Sequence, residues 1–302
     1  MSVGVTEPAV TVRGLRKSYD SFQAVRGIDL EVRHGEVFAF LGPNGAGKTT
    51  TTEILEGYRG RDGGEVAVLG VDPARPTREW RSRIGIVLQS AKPEHYLTVH
   101  ETVAEYADFY PHPRSVDETI EQVGLTDSAH KRGGKLSGGQ QRRLDVALAL
   151  VGDPDLILLD EPTTGFDPAA RRNAWDMIGG LRDLGKTIFL TTHFMDEAQA
   201  LADRVAIIRA GAIVAHGPPS ELGGRGRRSF IRFTLPGGVS AADLPVAGRE
   251  EGGRAVIEVE RPLEPLAAIT SWALERGYEL PDLEVERPTL EDVYLELTEE
   301  GA

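Results

Sequence analysis

Residues with the types and spacing to bind a phosphate chain lie near the start of the sequence, in GPNGAGKT from Gly42 to Thr49. The stretch fits G-x-x-x-x-G-K-[ST] and follows the apolar run EVFAFL, which predicts a strand, a loop and a helix, the context of a P-loop. Backbone N–H groups from Asn44 to Thr49 would surround a β-phosphate, with the Lys48 ammonium at the β and γ oxygens. The alternative is a glycine-rich turn with a solvent-facing lysine.

The nucleotide contacts predicted in this stretch are Gly42, Pro43, Asn44, Gly45, Ala46, Gly47, Lys48, Thr49 and Thr50. The hydroxyl of Thr49 would also meet Mg²⁺, because the Ser or Thr of this pattern binds the metal ion that accompanies the phosphates.

Two adjacent carboxylates end a second apolar run, in LILLDEPTTG from Leu156 to Gly165. Ligands of open parallel sheets bind beyond the carboxyl ends of the strands, where the P-loop would also lie. We therefore expect Asp160 to hold Mg²⁺, directly or through water, and Glu161 to be the general base that polarises the attacking water. The alternative is a pair of solvated loop acids.

Three more side chains follow predicted strands, and two of them, His193 and Gln89, would reach the same edge of the sheet. His193, after TIFLTT, is interpreted as a catalytic sensor of the γ-phosphate that also helps to hold Glu161 and the water. Gln89, after RIGIVL, could reach Mg²⁺ or the water, and Tyr19 could stack on adenine, which is worth about 1 to 3 kcal/mol for a stacked base. The alternatives are a structural histidine, a surface amide and a packed tyrosine.

A second glycine-rich helix start stands in LSGGQQRRLDVALAL, from Leu136 to Leu150. It predicts bare backbone N–H groups at the positive end of a helix dipole, where an anion is stabilised. Because one P-loop is enough to hold one nucleotide, this helix start poses the question of which phosphate it meets.

The apolar runs LILL, TIFLTT and RVAIIR are continuous, as in parallel strands covered on both faces. Strands and helices are predicted to alternate after the P-loop, which indicates an α/β core. The helix predicted over LTVHETVAEYADFY starts with a capping box, Thr98 and Glu101. The preceding loop and this helix carry the aromatic residues Tyr96, Phe109 and Tyr110, which would contact a partner or pack in the core.

The composition changes near residue 222, where GGRGRR is interpreted as a linker. We predict one domain over residues 1–222 and a second over 223–302. The second would be a small α+β domain with strands over 230–235, 255–259 and 283–286, a helix over 263–276 and a last helix capped by Thr289 and Asp292.

Composition excludes several classes of function. The 302 residues are 40% hydrophobic, contain no cysteine and carry a formal net charge of -13. There is then no disulfide, thiolate metal site or cysteine nucleophile, and the acidic balance argues against a broad nucleic-acid footprint. The longest apolar stretches are far shorter than the roughly 20 residues of a membrane span, and the N-terminus does not read as a signal peptide.

Together these motifs resemble the ATP-binding cassette (ABC) ATPases. GPNGAGKTT resembles their Walker A loop, LSGGQ their signature and LILLDEP their Walker B strand. Gln89 corresponds to the Q-loop, Asp167 to the D-loop and His193 to the switch histidine. Phe166 departs from the family, which more often has leucine before the aspartate.

The resemblance implies a P-loop NTPase fold, with a core sheet, an antiparallel β subdomain and a helical subdomain at about 90–135. It also implies that two cassettes face each other head to tail as a homodimer or paired cassettes, sharing two ATP sites. The signature of one chain then caps the ATP held by the P-loop of the other. The residues assigned to that shared site are Ser137, Gly138, Gly139, Gln140 and Asp167.

The segment after residue 222, ending in PTLEDVYLELTEE, is similar to that of bacterial drug, antibiotic and polysaccharide exporters of the daunorubicin-resistance type. This implies a Mg²⁺-dependent ATPase at the cytoplasmic face of the membrane that powers a separately encoded permease. The alternative is a non-transport cassette ATPase acting on DNA or ribosomes. Such proteins usually have tandem cassettes, coiled coils or basic arms, and none of these is seen in the sequence.

Overall fold

The structure of the protein is a computed structural model that describes residues 7–88, 96–222 and 229–286, together with Leu290. The chain divides into two compact units, Met1–Pro218 and Pro219–Ala302. The boundary predicted after Leu222 falls near this division, and it stays a prediction, as does the accessory role of the second unit.

The first unit is organised around two sheets. Its strands are β1 (Val10–Tyr19), β2 (Phe22–Val32), β3 (Val37–Leu41), β4 (Gly63–Val68), β5 (Ile84–Val87), β6 (Leu156–Asp160), β7 (Thr187–Thr192), β8 (Arg204–Arg209) and β9 (Ala212–Gly217). Six of them form a sheet in the order β5-β6-β7-β3-β8-β9, and the other three form an antiparallel sheet in the order β2-β1-β4. Every residue of β3, β6 and β7 is buried, which confirms the prediction of covered parallel strands.

Seven helices of the first unit are described: α1 (Lys48–Leu55), α2 (Arg78–Ser82), α3 (Val99–Ala107), α4 (Val116–Gln122), α5 (Gly138–Leu150), α6 (Pro168–Asp183) and α7 (Met195–Leu201). The predicted capping box at the start of α3 is confirmed, because Thr98 and Glu101 exchange side-chain to backbone hydrogen bonds. Helices α3 and α4 lie within the stretch predicted as a helical subdomain. No helix in the described ranges is long and apolar enough to cross a membrane.

One apolar core joins the two sheets of the first unit. Val10 and Val12 of the antiparallel sheet belong to the same buried cluster as Phe38, Phe40 and Phe189 of the parallel sheet. The ring of Phe189 lies 5.8 Å and 5.7 Å from the rings of its two neighbours, within the range of favourable aromatic pairs. Burial of each such side chain contributes about 1.5 to 3 kcal/mol, so this core fixes the parallel strands that carry the site.

The expected alternation of strands and helices is wrong after β8. Strand β9 follows β8 directly and pairs with it antiparallel, through the two-residue turn Ala210–Gly211. Both turn residues have positive φ, 46° and 80°, as a type I′ hairpin turn requires. Alanine rarely adopts such a conformation, so the sequence carries no usual signal for this hairpin.

The second unit is a small α+β structure. Its elements are α8 (Pro219–Leu222), β10 (Ser229–Thr234), β11 (Arg249–Glu251), β12 (Arg254–Val259), α9 (Leu263–Arg276) and β13 (Glu284–Glu286). The sheet order is β11-β12-β10-β13, all antiparallel, and Ile269 of α9 belongs to its core. The helix predicted over 263–276 is confirmed, whereas Thr289 and Asp292, the predicted cap of a last helix, lie outside the described residues.

Candidate active site

The loop between β3 and α1 fits its neighbours only because it contains glycine at two positions. A Cβ atom at Gly42 would lie 2.4 Å from the carbonyl oxygen of Ile208. A Cβ atom at Gly47, which has φ 109°, would lie 2.5 Å from the carbonyl oxygen of Ala24. Helix α1 then starts at Lys48 without a side-chain cap, and a helix end of this kind stabilises an anion through its N–H groups and its dipole.

The side chain of Lys48 is buried and directed at the loop. Its Nζ donates to the carbonyl oxygens of Gly42 at 2.7 Å and Pro43 at 3.2 Å. It also lies 3.2 Å from Oε1 of Glu161, so the ammonium joins the loop to the end of β6. The alternative of a solvent-facing lysine is therefore wrong.

The two carboxylates after β6 are held by the neighbouring strand β7. The Thr191 hydroxyl donates to Oδ1 of Asp160 and accepts a hydrogen bond from the backbone N–H of Glu161 at 3.0 Å. Glu161 has φ 45°, a conformation that non-glycine residues rarely adopt. Asp160 is buried and the Glu161 side chain is only 10% exposed, so the alternative of solvated loop acids is wrong.

The environments of these two carboxyls shift their pKa values in opposite directions. Burial raises the pKa of Asp160, although the hydrogen bond from Thr191 opposes this shift. Burial would also raise the pKa of Glu161, but the interactions with Lys48, Thr164 and His193 together outweigh it and lower this pKa below its ordinary value. Glu161 is therefore ionised at neutral pH, as a proton acceptor must be.

His193 follows β7 and lies beside Glu161. Its Nδ1 is 3.4 Å from Oε2 of Glu161, and its ring packs on Phe194 with a centroid separation of 4.0 Å. The hydroxyl of Thr164 donates to the same carboxylate oxygen at 3.0 Å. Glu161 is thus contacted by groups from α1, from its own loop and from the end of β7.

One cavity of about 560 Å³ collects most of the residues predicted to bind the nucleotide. Its lining includes Tyr19, Asn44, Gly45, Gly47, Lys48, Thr49, Thr50, Glu161, Thr164 and His193. Tyr19 ends β1, its hydroxyl lies 3.4 Å from Oγ1 of Thr50, and 37% of the residue is exposed. Gln89 lies outside the described residues.

The signature residues line a different cavity, of about 650 Å³. Ser137, Gly138, Gly139, Gln140 and Asp167 contribute to it, and Thr164 contributes to both cavities. The expectation of bare N–H groups at this helix start is wrong for Gln140, whose backbone N–H is capped by the Ser137 hydroxyl at 3.3 Å. Asp167 is the N-cap of α6.

Sequence reasoning missed two residues that organise the site. Thr191 joins Asp160 to Glu161, and the buried Arg142 donates to backbone carbonyls near both carboxylates. The sequence does carry a signal for Thr191, because two threonines end the otherwise apolar strand β7 at the edge where ligands bind. Nothing in the sequence distinguishes Arg142 from the adjacent Arg143.

Comparisons with known proteins agree with this geometry. The family described as ABC transporter matches residues 25–164, and the family described as ABC transporter domain-containing protein-like, C-terminal domain, matches residues 229–289. A daunorubicin resistance ATP-binding protein of Streptomyces coeruleorubidus is 35% identical over an alignment of 306 positions, which covers 97% of each chain. A Nod factor export ATP-binding protein I of Burkholderia pseudomallei is 38% identical over an alignment of 299 positions, which covers 94% of this chain and 95% of that protein.

A solved ATP-binding cassette, in a dimeric post-hydrolysis state bound to ADP and Pi, matches with a TM-score of 0.61 and 25% identity. The match covers 69% of this chain and 98% of that chain. It confirms the cassette fold, while the relatives match nearly the full length at more than 30% identity. On this evidence, the chain belongs to the ABC transporter family, as one of its ATP-binding proteins.

Proposed function

We propose that the protein is the Mg²⁺-dependent ATPase subunit of an ABC exporter and powers a separate membrane permease. The observation that carries the hydrolytic part is the contact of Lys48 and His193 with the two oxygens of the Glu161 carboxylate, in one cavity. The loop after β3 would hold the phosphates of ATP, and Tyr19 would stack on the adenine.

The residues predicted to bind Mg²⁺ fit that ion. Mg²⁺ prefers oxygen ligands and is usually held by one or two carboxylates together with substrate phosphates. Asp160 supplies a carboxylate oriented by Thr191, Thr49 supplies a hydroxyl on the cavity wall, and Gln89 would supply an amide oxygen. Bound there, the ion would neutralise charge on the phosphate oxygens.

Hydrolysis follows from the positions of the remaining groups. Glu161 accepts a proton from water, the water oxygen bonds to the γ-phosphorus, and the bond from that phosphorus to the β–γ bridging oxygen breaks. The electron pair of the broken bond leaves with ADP. Lys48 compensates charge on the departing side, and His193 holds the carboxylate and the transferred phosphoryl group.

We propose that the signature cavity serves the ATP of a second chain. A Cβ atom at Gly138 or Gly139 would meet nothing within 4 Å, so packing within this chain does not require glycine there. Close approach of another molecule's phosphate explains glycine at both positions. The arrangement would be head to tail, in a homodimer or a pair of cassettes, and the existence of a dimeric cassette with ADP and Pi bound supports the pairing.

The export role rests on the relatives and on exposed aromatic residues. Two of the relatives that match nearly the full chain are named for daunorubicin resistance and Nod factor export. Tyr96 and Phe109 flank α3 and are 82% and 66% exposed, as suits anchors in an interface with a permease. The third predicted aromatic, Tyr110, is less exposed than these two: it is half-buried, and its ring packs over Gly152.

This assignment places the chain at the cytoplasmic face of the membrane, bound through its permease. The second unit, which matches a C-terminal domain of ABC transporter proteins, would help the cassettes to dimerise or would regulate them.

A mixing experiment tests the shared site. Lys48→Ala removes the P-loop charge, and Gly138→Asp places a carboxylate where the partner's phosphate would lie. Each purified variant alone should lose turnover. In a mixed dimer, the intact P-loop of one chain faces the intact signature of the other, so a mixture should regain ATP hydrolysis.

The control is a mixture of Lys48→Ala with a chain that carries both substitutions, in which no intact site forms. Recovery in the first mixture and none in the control is the expected result. If each chain uses its own signature, neither mixture recovers, and the head-to-tail proposal falls.

A further inference from the structure

Arg142 is a buried cation in the helix that starts at the signature. It lies in α5, five residues after Ser137, and is 8% exposed. Its guanidinium donates to three backbone carbonyls: to Leu88 at the end of β5, to Asp160 at 2.9 Å and to Pro162 at 3.2 Å. A carboxylate of Asp145 stands further away, at 3.9 Å.

The choice of arginine follows from this geometry. Burial lowers the pKa of Arg142, but a guanidinium stays charged in proteins, and its cost of desolvation is offset only where its donors are satisfied. The planar group presents separate N–H donors in fixed directions, whereas lysine presents one nitrogen on a flexible stem. Arg142 uses a different nitrogen for each of the three carbonyls, and a lysine, with one nitrogen, does not reproduce this geometry.

The two carbonyls of Asp160 and Pro162 flank one residue, Glu161. That residue has φ 45°, and a non-glycine residue in this region costs about 1 to 3 kcal/mol unless its surroundings hold it. Arg142 holds the peptide group immediately before Glu161 and the peptide group one residue beyond it, between Pro162 and Thr163. The third carbonyl belongs to Leu88, immediately before Gln89.

We propose that Arg142 is a positioning residue that couples the signature of a chain to the general base of the same chain. This inference rests on the proposed function. A shift of α5 when Ser137 to Gly139 contact a partner's ATP moves the guanidinium, and with it the backbone that carries Glu161. The two ATP sites of a dimer are thereby coupled through each chain.

The coupling predicts a distinct kinetic defect in Arg142→Gln. Displacement of a catalytic group by about 1 Å costs on the order of a hundredfold in rate, so kcat should fall about tenfold to a hundredfold. The KM and the dissociation constant for ATP should change less than about threefold, because the hydrogen bonds found for Arg142 in the described residues go to Leu88, Asp160 and Pro162 and not to the loop between β3 and α1. The Hill coefficient for ATP should fall towards 1.

Arg142→Lys keeps the charge and should not restore kcat or cooperativity. The control is Arg204→Gln in β8, because this half-buried arginine also donates to a backbone carbonyl, that of Glu31 at 3.1 Å, and pairs with Glu36. It should lower the melting temperature and leave kcat and the Hill coefficient as in the wild type.

Normal kcat and cooperativity in a folded Arg142→Gln protein would overturn the proposal. So would recovery of both in Arg142→Lys, or equal defects in Arg204→Gln. If Arg142→Gln does not fold, Arg142→Lys is the test: reduced kcat and a lower Hill coefficient support the proposal, and wild-type values overturn it. A wild-type protein without ATPase activity would instead refute the proposed function, so the two failures are distinguishable.

Discussion

The Nζ atom of Lys48 lies 3.2 Å from Oε1 of Glu161, and the same ammonium donates to the carbonyl of Gly42. One cation therefore serves both the phosphate loop and the candidate base. If the loop holds a phosphate, as we propose, that phosphate would compete with the carboxylate for this cation, and its binding would loosen the hold on Glu161.

Glu161→Gln should abolish most turnover while keeping ATP binding. Loss of a general base typically costs about 10² to 10⁴ in rate. Affinity for ATP should stay equal or rise, because a neutral amide no longer competes for Lys48. Phosphate release and nucleotide binding by the purified variant measure the two effects.

The matched control for that change is Glu36→Gln. It alters a buried carboxylate that is paired with Arg204, whereas Glu161 is paired with Lys48. It should lose stability without losing turnover. Near-normal hydrolysis in Glu161→Gln would remove Glu161 from the role of base.

Thr191→Val should raise the Mg²⁺ concentration needed for half-maximal hydrolysis. Valine has nearly the same volume but no hydroxyl, so Asp160 loses the donor that orients it, and the N–H of Glu161 loses an acceptor. The free energy of unfolding should fall by about 1 to 3 kcal/mol. Titration of ATPase activity with Mg²⁺ measures the shift.

Thr187→Val is the control for this change, because Thr187 is buried at the other end of β7 and accepts a hydrogen bond from the N–H of Gly35. It should lower stability and leave the Mg²⁺ titration as in the wild type. The assigned role of Thr191 is wrong if both variants respond alike.

Glu56 should make the protein less stable as the pH rises towards 8. Burial raises the pKa of Glu56 from its ordinary 4.5 to about 8, with the charges of Asp160 and Glu53 contributing. Between these values the folded protein keeps the proton and the unfolded chain releases it, so stability present at low pH is lost. The slope is at most about 1.4 kcal/mol per pH unit for one group.

Urea denaturation of Glu56→Gln in Mg²⁺-free buffer between pH 5 and 8 checks this prediction. The variant lacks the titrating carboxyl, so its stability relative to the wild type should increase with pH across this window. Glu79→Gln, at an exposed residue of α2 that does not contribute to the shift of Glu56, is the control and should keep the wild-type slope. Identical slopes in wild type and Glu56→Gln would refute the prediction.

Tyr96→Glu should uncouple transport from ATP binding if α3 and its flanks contact a permease. A charge in place of an exposed aromatic anchor weakens an interface, and Tyr96 is absent from the lining of the nucleotide cavity. Transport by the complete complex and ATP binding by the purified chain are the two measurements. Tyr58→Glu, at another exposed tyrosine, is the control and should preserve transport.

Cross-linking of the complex gives an independent check on that surface. A permease that cross-links to residues remote from α3 would show that the assignment of Tyr96 is wrong.

The sequence was sufficient to predict that some of the site residues gather, because parallel strands end at one edge of a sheet. This rule brings Lys48, Glu161 and His193 into one cavity from three separate segments. The rule does not say which side chains meet within that edge. The bridge through Thr191 and the three contacts of Arg142 depend on distances between segments remote in sequence, and local patterns carry no information about them.

The turn Ala210–Gly211 limits where the chain accepts insertions. The N–H of Gly211 donates to Ala46 in the phosphate loop, and its carbonyl accepts from Arg26 of the antiparallel sheet. Tolerance of an inserted segment depends on the hydrogen bonds of the affected backbone, not on whether it is drawn as a loop. A tag or reporter placed in this turn would therefore disrupt its bonds to the other two segments. Gly237 and Gly238 are exposed, and the hydrogen bond across them, from the N–H of Val239 to the carbonyl of Pro236, is local, so they offer a safer position for labelling.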